Sequence, residues 1–276
     1  MAAKETIISD LPAMPLVAQR VLAVAADPNS SVNDLKRAAE SDQAIVAKVL
    51  RIANSSLYGL SRRVHSLDRA IVAVGFGTVK RLAVAMSMHG TYDVMGDQEN
   101  CLWQHAVGGS IASFFLANRL KTEEPEAAFT AGLLHDMGKA ILINRDGEAY
   151  SRVTDLISTG VQQSEAELSV FDVTHSLIGA RALKQWSFPE SVTEAVRLHH
   201  APGRWAPEGD GPPVLAVALG DMFCHIIGIG CKRDLAVKDP SFQKALRLSG
   251  MGTSDVLEML SRTKDVYERE RGTFGA

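Results

Sequence analysis

The chain has 276 residues, length enough for one large domain or two small ones. Hydrophobic residues make up 46% and charged residues 22%, and 29 Lys and Arg against 32 Asp and Glu leave a net charge of −3. That balance excludes a basic nucleic-acid footprint and a strongly acidic tail. The longest apolar run, residues 214–230, carries Asp221 and His225, so the expectation is no membrane span. The N-terminal stretch MAAKETIISDLPAMP lacks the apolar core of a secretory signal. Cys101, Cys224 and Cys231 form no CxxC pair, which argues against a disulfide framework and fits a reducing cytoplasm.

In chain order the pattern is helical throughout. PLVAQRVLAVAAD (15–27) repeats apolar residues at helical spacing, opens near Pro15 and is stopped by Asp27-Pro28. SVNDLKRAAE begins with Ser31 and Asp34, a capping-box-like start. A helix over 42–54 and a polar loop over 55–66 follow. Two more helices, 67–75 and 78–90, meet at Gly75-Phe76-Gly77. The second half predicts helices at 101–120, 124–144, 151–160, 164–186 and 189–200. A Pro/Gly-rich loop (201–213) precedes an apolar helix from 214, then short helices at about 239–248 and 253–268. No hairpin signal and no repeat interrupts this, so the expected fold class is all-α. The polar stretch 90–100 marks the best boundary between two helical lobes.

Six of the eight histidines lie beyond that boundary, at 105, 135, 175, 199, 200 and 225. Asp136 adjoins His135, and Asp221 sits in an apolar helix. Each falls on or at the end of a segment whose pattern is mainly buried. Burying several imidazoles and two carboxylates together costs several kcal/mol unless they pair or share a cation. Mixed imidazole and carboxylate donors suit iron, manganese or zinc better than calcium. Each residue also has a plainer reading. His135-Asp136 could be a hydrogen-bonded core pair, and His105 or His175 alone a satisfied core histidine. One of His199 and His200 could face the helix C-terminal dipole, and Asp221 could be a packing acceptor. Lys139 could reach solvent from a helix edge. His225 reads as core or as a neighbour of the ligands, and His65 and His89 as surface or helix-end residues. The helix pair 67–75 and 78–90 could be called a helix-turn-helix, with Lys80 and Arg81 near the start of its second helix. That helix is too apolar to read a groove.

His105, His135-Asp136, His175, His199-His200 and Asp221, at intervals of 30, 40, 24 and 21 residues, resemble the metal-ligand order of HD-superfamily phosphohydrolases, HD-GYP most closely. Lys139 completes an HDxGK pattern. The first half resembles a different member of that superfamily. LPAMPLVAQRVLAVAAD, SDQAIVAKVLRIANSSLYG and SLDRAIVAVGFGTVKRLAV are similar to the start of an HDOD domain, the HD-related output domain of bacterial signalling. The resemblance covers about residues 11–205 and implies a multi-helix HDOD/HD-type bundle in two lobes. Its parts would be an N-terminal lobe at 11–95, an HD-like lobe at 96–210, and C-terminal helices at 211–276 that complete the bundle. HDOD domains act mainly as regulatory modules and usually lack much of the metal set. This chain has all of it.

The resemblance therefore implies a bacterial signalling module that binds a protein partner or a nucleotide, with an HD-type metal site. It implies one or two divalent ions held by His105, His135, Asp136, His175, His199, His200 and Asp221. The alternative is a metal-dependent phosphohydrolase or phosphodiesterase. In it Asp136 would bridge the metals, Lys139 would neutralise the phosphate, and His105 would complete the coordination or act as general acid. The chain departs from HD-GYP at two places. No GYP tripeptide follows His199-His200, and Cys101 stands where a glutamate is expected four residues before His105. Both departures count against a third metal and against cyclic-dinucleotide hydrolysis.

Overall fold

The structure is a computed structural model, and it describes residues 10–27, 29–40, 43–55, 57–87, 98–201, 211–230 and 240–274. The described residues are helical, with turns and loops between helices and no strand. In chain order the helices are α1 (Leu16–Ala26), α2 (Val32–Glu40), α3 (Gln43–Ala53), α4 (Leu67–Val74) and α5 (Phe76–Ser87). Then come α6 (Gln98–Arg119), α7 (Pro125–Leu134), α8 (Met137–Arg145), α9 (Gly147–Ser158) and α10 (Gln163–Phe171). The last are α11 (His175–Gln185), α12 (Glu190–Leu198), α13 (Gly211–Ile227), α14 (Pro240–Ser249) and α15 (Thr253–Phe274). The expected all-α class holds.

Local chemistry explains several ends. The Asp34 carboxylate accepts from the Ser31 N–H at 2.9 Å, while the Asp34 N–H reaches the Ser31 hydroxyl at 3.3 Å, the reciprocal cap expected before α2. Gly75, at φ +90, ends α4, and α5 follows at once from Phe76, two residues earlier than expected. Helices α9 and α15 are longer than their patterns suggest, starting at Gly147 and ending at Phe274. The boundary at 90–100 lies mostly outside the described residues, as do His89, residues 202–210 of the expected 201–213 loop, and Cys231, while 211–213 already belong to α13. His65 is exposed.

Two expected helices are each two. The stretch 124–144 divides into α7 and α8 at His135-Asp136, and 164–186 divides into α10 and α11 at Asp172–Thr174. At the first break the His135 ring Nδ1 lies 2.8 Å from the Gly132 carbonyl. In a continuing helix that carbonyl would take the Asp136 N–H, so the side chain competes with the ladder. At the second, Asp172 adopts φ +58 and Thr174 caps α11 by accepting from the Leu177 N–H. The apolar periodicity runs through both breaks, which is why the sequence hides them.

One apolar core runs through both halves of the chain, from Met14 through Val49, Leu82, Ile111, Leu133 and Phe223 to Phe274. A smaller cluster around Leu142, Tyr150, Val153 and Phe171 joins α8 to α10. Buried indole groups tie the ends down. Trp103 Nε1 donates to the Phe274 carbonyl at 3.1 Å, and Trp186 Nε1 to the Pro12 carbonyl at 3.2 Å. Helix α6 is central and packs against α7, α13 and α15.

At its middle, three helix backbones touch. A methyl on Gly132 would lie 2.7 Å from the Gly109 carbonyl, and one on Gly220 would lie 3.0 Å from the Ser113 N. Only glycine lets α6, α7 and α13 approach this closely. The crossing lies within about a turn of His105, His135 and Asp221. The expectation of no disulfides fails at Cys101, which is disulfide-bonded, while Cys224 is free and buried. Such a bond depends on spatial proximity, which spacing along the chain does not reveal. No helix among the described residues is long and apolar enough to cross a membrane.

Candidate metal centre

The structure brings all the sequence-predicted site residues together, from six helices or their ends. His105 comes from α6 and Asp221 from α13. His135 ends α7, Asp136 precedes α8, His175 opens α11, and His199 ends α12. His105, His135, Asp136, Lys139, His175, His199 and Asp221 are all buried, and His200 is the most open, with its side chain 22% exposed. The close approaches needed for this are visible at Gly138. A methyl there would lie 2.0 Å from the His175 carbonyl, so α8 and α11 meet backbone to backbone beside Asp136.

The hydrogen bonds fix which ring nitrogens carry protons. His135 Nδ1 faces the Gly132 carbonyl at 2.8 Å, His199 Nδ1 the Val196 carbonyl at 2.6 Å, and His105 Nδ1 the Ile229 carbonyl at 3.3 Å. A carbonyl only accepts, so in His135 and His199 Nδ1 is the N–H donor and the neutral ring offers a bare lone pair at Nε2, whereas His105 has an acceptor at both nitrogens, its Nε2 lying 3.0 Å from Asp221 Oδ1. His175 follows the same rule through the Glu167 carboxylate, whose oxygens lie 2.7 and 2.8 Å from its Nδ1.

Those three lone pairs, with His105 Nε2 beside them, converge on carboxylates. His175 Nε2 lies 3.3 Å from Asp136 Oδ1 and 3.3 Å from His199 Nε2. His135 Nε2 lies 3.5 Å from Asp136 Oδ2 and 3.7 Å from Asp221 Oδ1. His105 Nε2 lies 3.0 Å from Asp221 Oδ1 and 3.7 Å from Asp136 Oδ2. His135 Nε2 and Asp136 Oδ1 are buried without a hydrogen-bond partner. Acceptors facing acceptors in a water-excluded space are unfavourable unless a cation sits between them. The donors form sets in which all ligand atoms lie within 4.8 Å of one another: Asp136, His175, His199 and His200, and separately His105, His135 and Asp136. His199 and His200 both reach the first set because α12 stops at Leu198, and their ring centroids are 4.0 Å apart. The residues present fit a divalent cation.

Charge in the protein alone is balanced by protons. The Lys139 ammonium lies 2.5 Å from Asp136 Oδ2. It pairs with Asp136 across the first turn of α8. Burial would raise the Asp136 pKa, but Lys139, His135 and His175 outweigh it and hold that carboxyl well below its usual range. Asp221 is also held well below, with burial opposed by His225, His105 and His135. Burial lowers His135, yet Asp136 and Asp221 outweigh it and its pKa is raised. Burial pulls His105 down to about 4, and burial with the neighbouring rings pulls His199 down to about 3.

One residue escaped the sequence reading of the site. Glu167 of α10 is fully buried and grips both the His175 N–H, at 2.8 Å, and its Nδ1, while Gln163 Nε2 donates to it at 2.9 Å. Its signal was a glutamate on the inward stripe of α10, eight residues before His175. His225, read as core or as a neighbour of the ligands, is buried with its Nε2 3.2 Å from Asp221 Oδ1. Replacing Glu167 by Gln puts an amide NH2 where one of two donors now finds an acceptor. The expected result is a loss of about 1–3 kcal/mol in unfolding free energy and a 10–100-fold weaker metal affinity. Chemical denaturation and metal titration of Glu167→Gln check both; unchanged affinity would show that His175 needs no such orientation.

The sequence signature of the HDOD domain matches residues 11–202. The chain belongs to the HDOD domain family. An HDOD domain protein of unknown function from Geobacter sulfurreducens has the same fold, with a TM-score of 0.75 and 23% identity over 99% of this chain and 97% of the other. A candidate phosphohydrolase from Shewanella amazonensis gives a TM-score of 0.74 at 22% identity, covering 99% and 96%. An uncharacterized protein from Treponema pallidum is 24% identical over 217 residues, which are 78% of this chain and 42% of that protein. This HDOD chain thus spans less than half the length of the curated relative it matches.

Proposed function

We propose that this protein is an HDOD signalling module whose HD-type pocket binds one or two divalent cations, with iron, manganese or zinc the fitting metals. Metal occupancy sets the shape that the helical bundle offers to a protein partner or a nucleotide. The observation that carries the reading is the set of three imidazoles, His135, His175 and His199, whose Nδ1–H groups are already committed. Their Nε2 atoms are left facing Asp136 and Asp221. A relic core would have no reason to orient every ring in this way. The cytoplasm is the proposed location, where the Cys101 disulfide would be held open by the thiol pool.

A second reading, hydrolysis of a phosphoester, is favoured by Lys139. It is a buried ammonium at the edge of the carboxylate pair, placed to neutralise a phosphate once cations replace it on Asp136. When bound, divalent cations at such a site supply Lewis acidity toward a phosphoryl oxygen. His200, the most open of the set, marks the side from which a substrate would reach it.

The test is the metal content of protein purified without oxygen and without a metal-affinity tag, beside His135→Ala. About one or two equivalents in the unmodified protein, lost in the variant with its helical circular dichroism retained, is the expected result. Absence of metal from both proteins would refute the proposal. Turnover of phosphoesters and cyclic nucleotides by the loaded protein would then decide between the two readings.

A further inference from the structure

The three cysteines of the chain have two fates. Cys224 is buried and free, while Cys101 is disulfide-bonded. Within the chain that leaves Cys231, the residue after Gly230, as the other half of the bond. Cys101 is only partly buried, whereas Cys224 is fully so. Exchange with a dissolved thiol depends on access, so it falls on the bond and spares Cys224.

The bond sits where α6 meets the chain leaving α13. Cys101, His105 and Gly108 follow one another along a single face of α6, four and then three residues apart. Ile229 and Gly230 lie on that face. A methyl on Gly108 would fall 2.6 Å from Ile229 Cγ2. One on Gly230, at φ +73, would fall 2.8 Å from the Cys101 carbonyl oxygen and 2.5 Å from the His105 Cβ. The Ile229 carbonyl stands 3.3 Å from His105 Nδ1. A cation on His105 Nε2 leaves the neutral ring's one proton at Nδ1, and the Ile229 carbonyl is then its acceptor. Cys101 is therefore tied to the residue next to the segment that orients this ring.

We infer that the bond at Cys101 is a redox-sensitive modification site that controls how firmly the pocket holds its cation. Closed, it fastens residues 229–230 to α6 and keeps His105 aimed. Opened, it leaves them held by packing alone, and the ring loses its fixed acceptor. The chemistry is thiol–disulfide exchange with a dithiol. One thiolate of the dithiol attacks a sulfur of the bond, forms a mixed disulfide and releases the other cysteine as a thiolate. The second thiolate of the dithiol then closes onto the first and frees the second cysteine. The dithiol leaves as a disulfide, two electrons pass to the cysteine pair, and the two protons lost by the dithiol end on the cysteines. The oxidised dithiol runs the same steps backward. In a reducing cytoplasm the bond is open at rest, and oxidation tightens the pocket.

This inference rests on the pocket binding metal at all, and the experiment separates the two. Chelator-stripped protein is prepared reduced with dithiothreitol and, separately, reoxidised with its oxidised form, then desalted without oxygen. Thiols are counted after denaturation, and manganese(II), which thiols bind weakly, is titrated far below the unfolding temperature. The expected result is three thiols in the reduced chain and one in the oxidised chain, interconverting reversibly. The oxidised form binds manganese about 10-fold tighter or more, the scale on which ligand-orienting contacts act. Cys101→Ser binds like the reduced form under both treatments. Three thiols after the oxidising treatment would overturn the inference. So would equal affinities in the two forms, even with different unfolding temperatures, since a bond that only staples the fold moves the second quantity and not the first; the pocket would stand. No manganese bound by either form would overturn both.

Discussion

Gly138→Ala is expected to cost about 3 kcal/mol or more, and to lower the unfolding temperature by about 10 °C. Its methyl would sit 2.0 Å from the His175 carbonyl and 3.0 Å from the Gly179 N, all main-chain atoms. A flexible side chain could swing away from such a contact, but two packed helices must separate. Overpacking usually costs about 1–3 kcal/mol, and a clash with backbone on both sides belongs at the top of that range. The damage falls on the site as well. Prying α8 from α11 moves Asp136 away from His175 Nε2, now 3.3 Å from its carboxylate. Thermal unfolding by circular dichroism, with and without added metal, is the check. A variant whose unfolding temperature stays within about 2 °C of the unmodified protein would mean that the two helices are not in backbone contact.

The second large effect is acid lability of the chelator-stripped protein. His105 and His199 have folded-state pKa values of about 4 and about 3, against 6.5 for the free side chain. A histidine with a depressed folded pKa leaves the unfolded chain binding more protons, so stability falls as pH drops below 6.5. At about 1.4 kcal/mol per unit, His105 alone removes about 3 kcal/mol by pH 4. Asp136, Asp221 and Glu167, all with lowered folded pKa values, contribute stability that is present above the usual carboxylate range. That contribution is lost as pH falls further. His135 has a raised pKa, and its contribution is complete below 6.5 and lost as pH rises above it. Stability should therefore peak near neutrality and drop steeply on the acid side. Urea denaturation across pH 4–8 in the presence of chelator measures this. A flat profile between pH 6.5 and 4 would contradict neutral, buried imidazoles.

The fold class was legible because nearly every segment carries helical periodicity. The buried His and Asp cluster was legible because its residue types are costly in apolar segments, and its order because it resembles that of the HD superfamily. What stayed hidden was where the helices stop. His135 and His199 both turn their Nδ1–H onto a carbonyl three residues back, and both do so where a helix ends. Periodicity reports which face is apolar and says nothing of this competition for an acceptor. Glu167 stayed out of the reading because it meets the set only through space, reaching His175 across a turn. The disulfide at Cys101 is likewise a matter of proximity.

The glycine crossing of α6, α7 and α13 has a consequence for how such a centre can change. Side chains act as shims between most helices, and swapping a leucine for a valine adjusts the gap by fractions of an ångström. No shim exists where Gly109, Gly132 and Gly220 touch, and His105, His135 and Asp221 hang within a turn of that contact. The spacing of these donors is machined into the main chain. A change in what this centre can hold has to come from exchanging the donor atoms themselves, because adjustment by repacking around them is closed off.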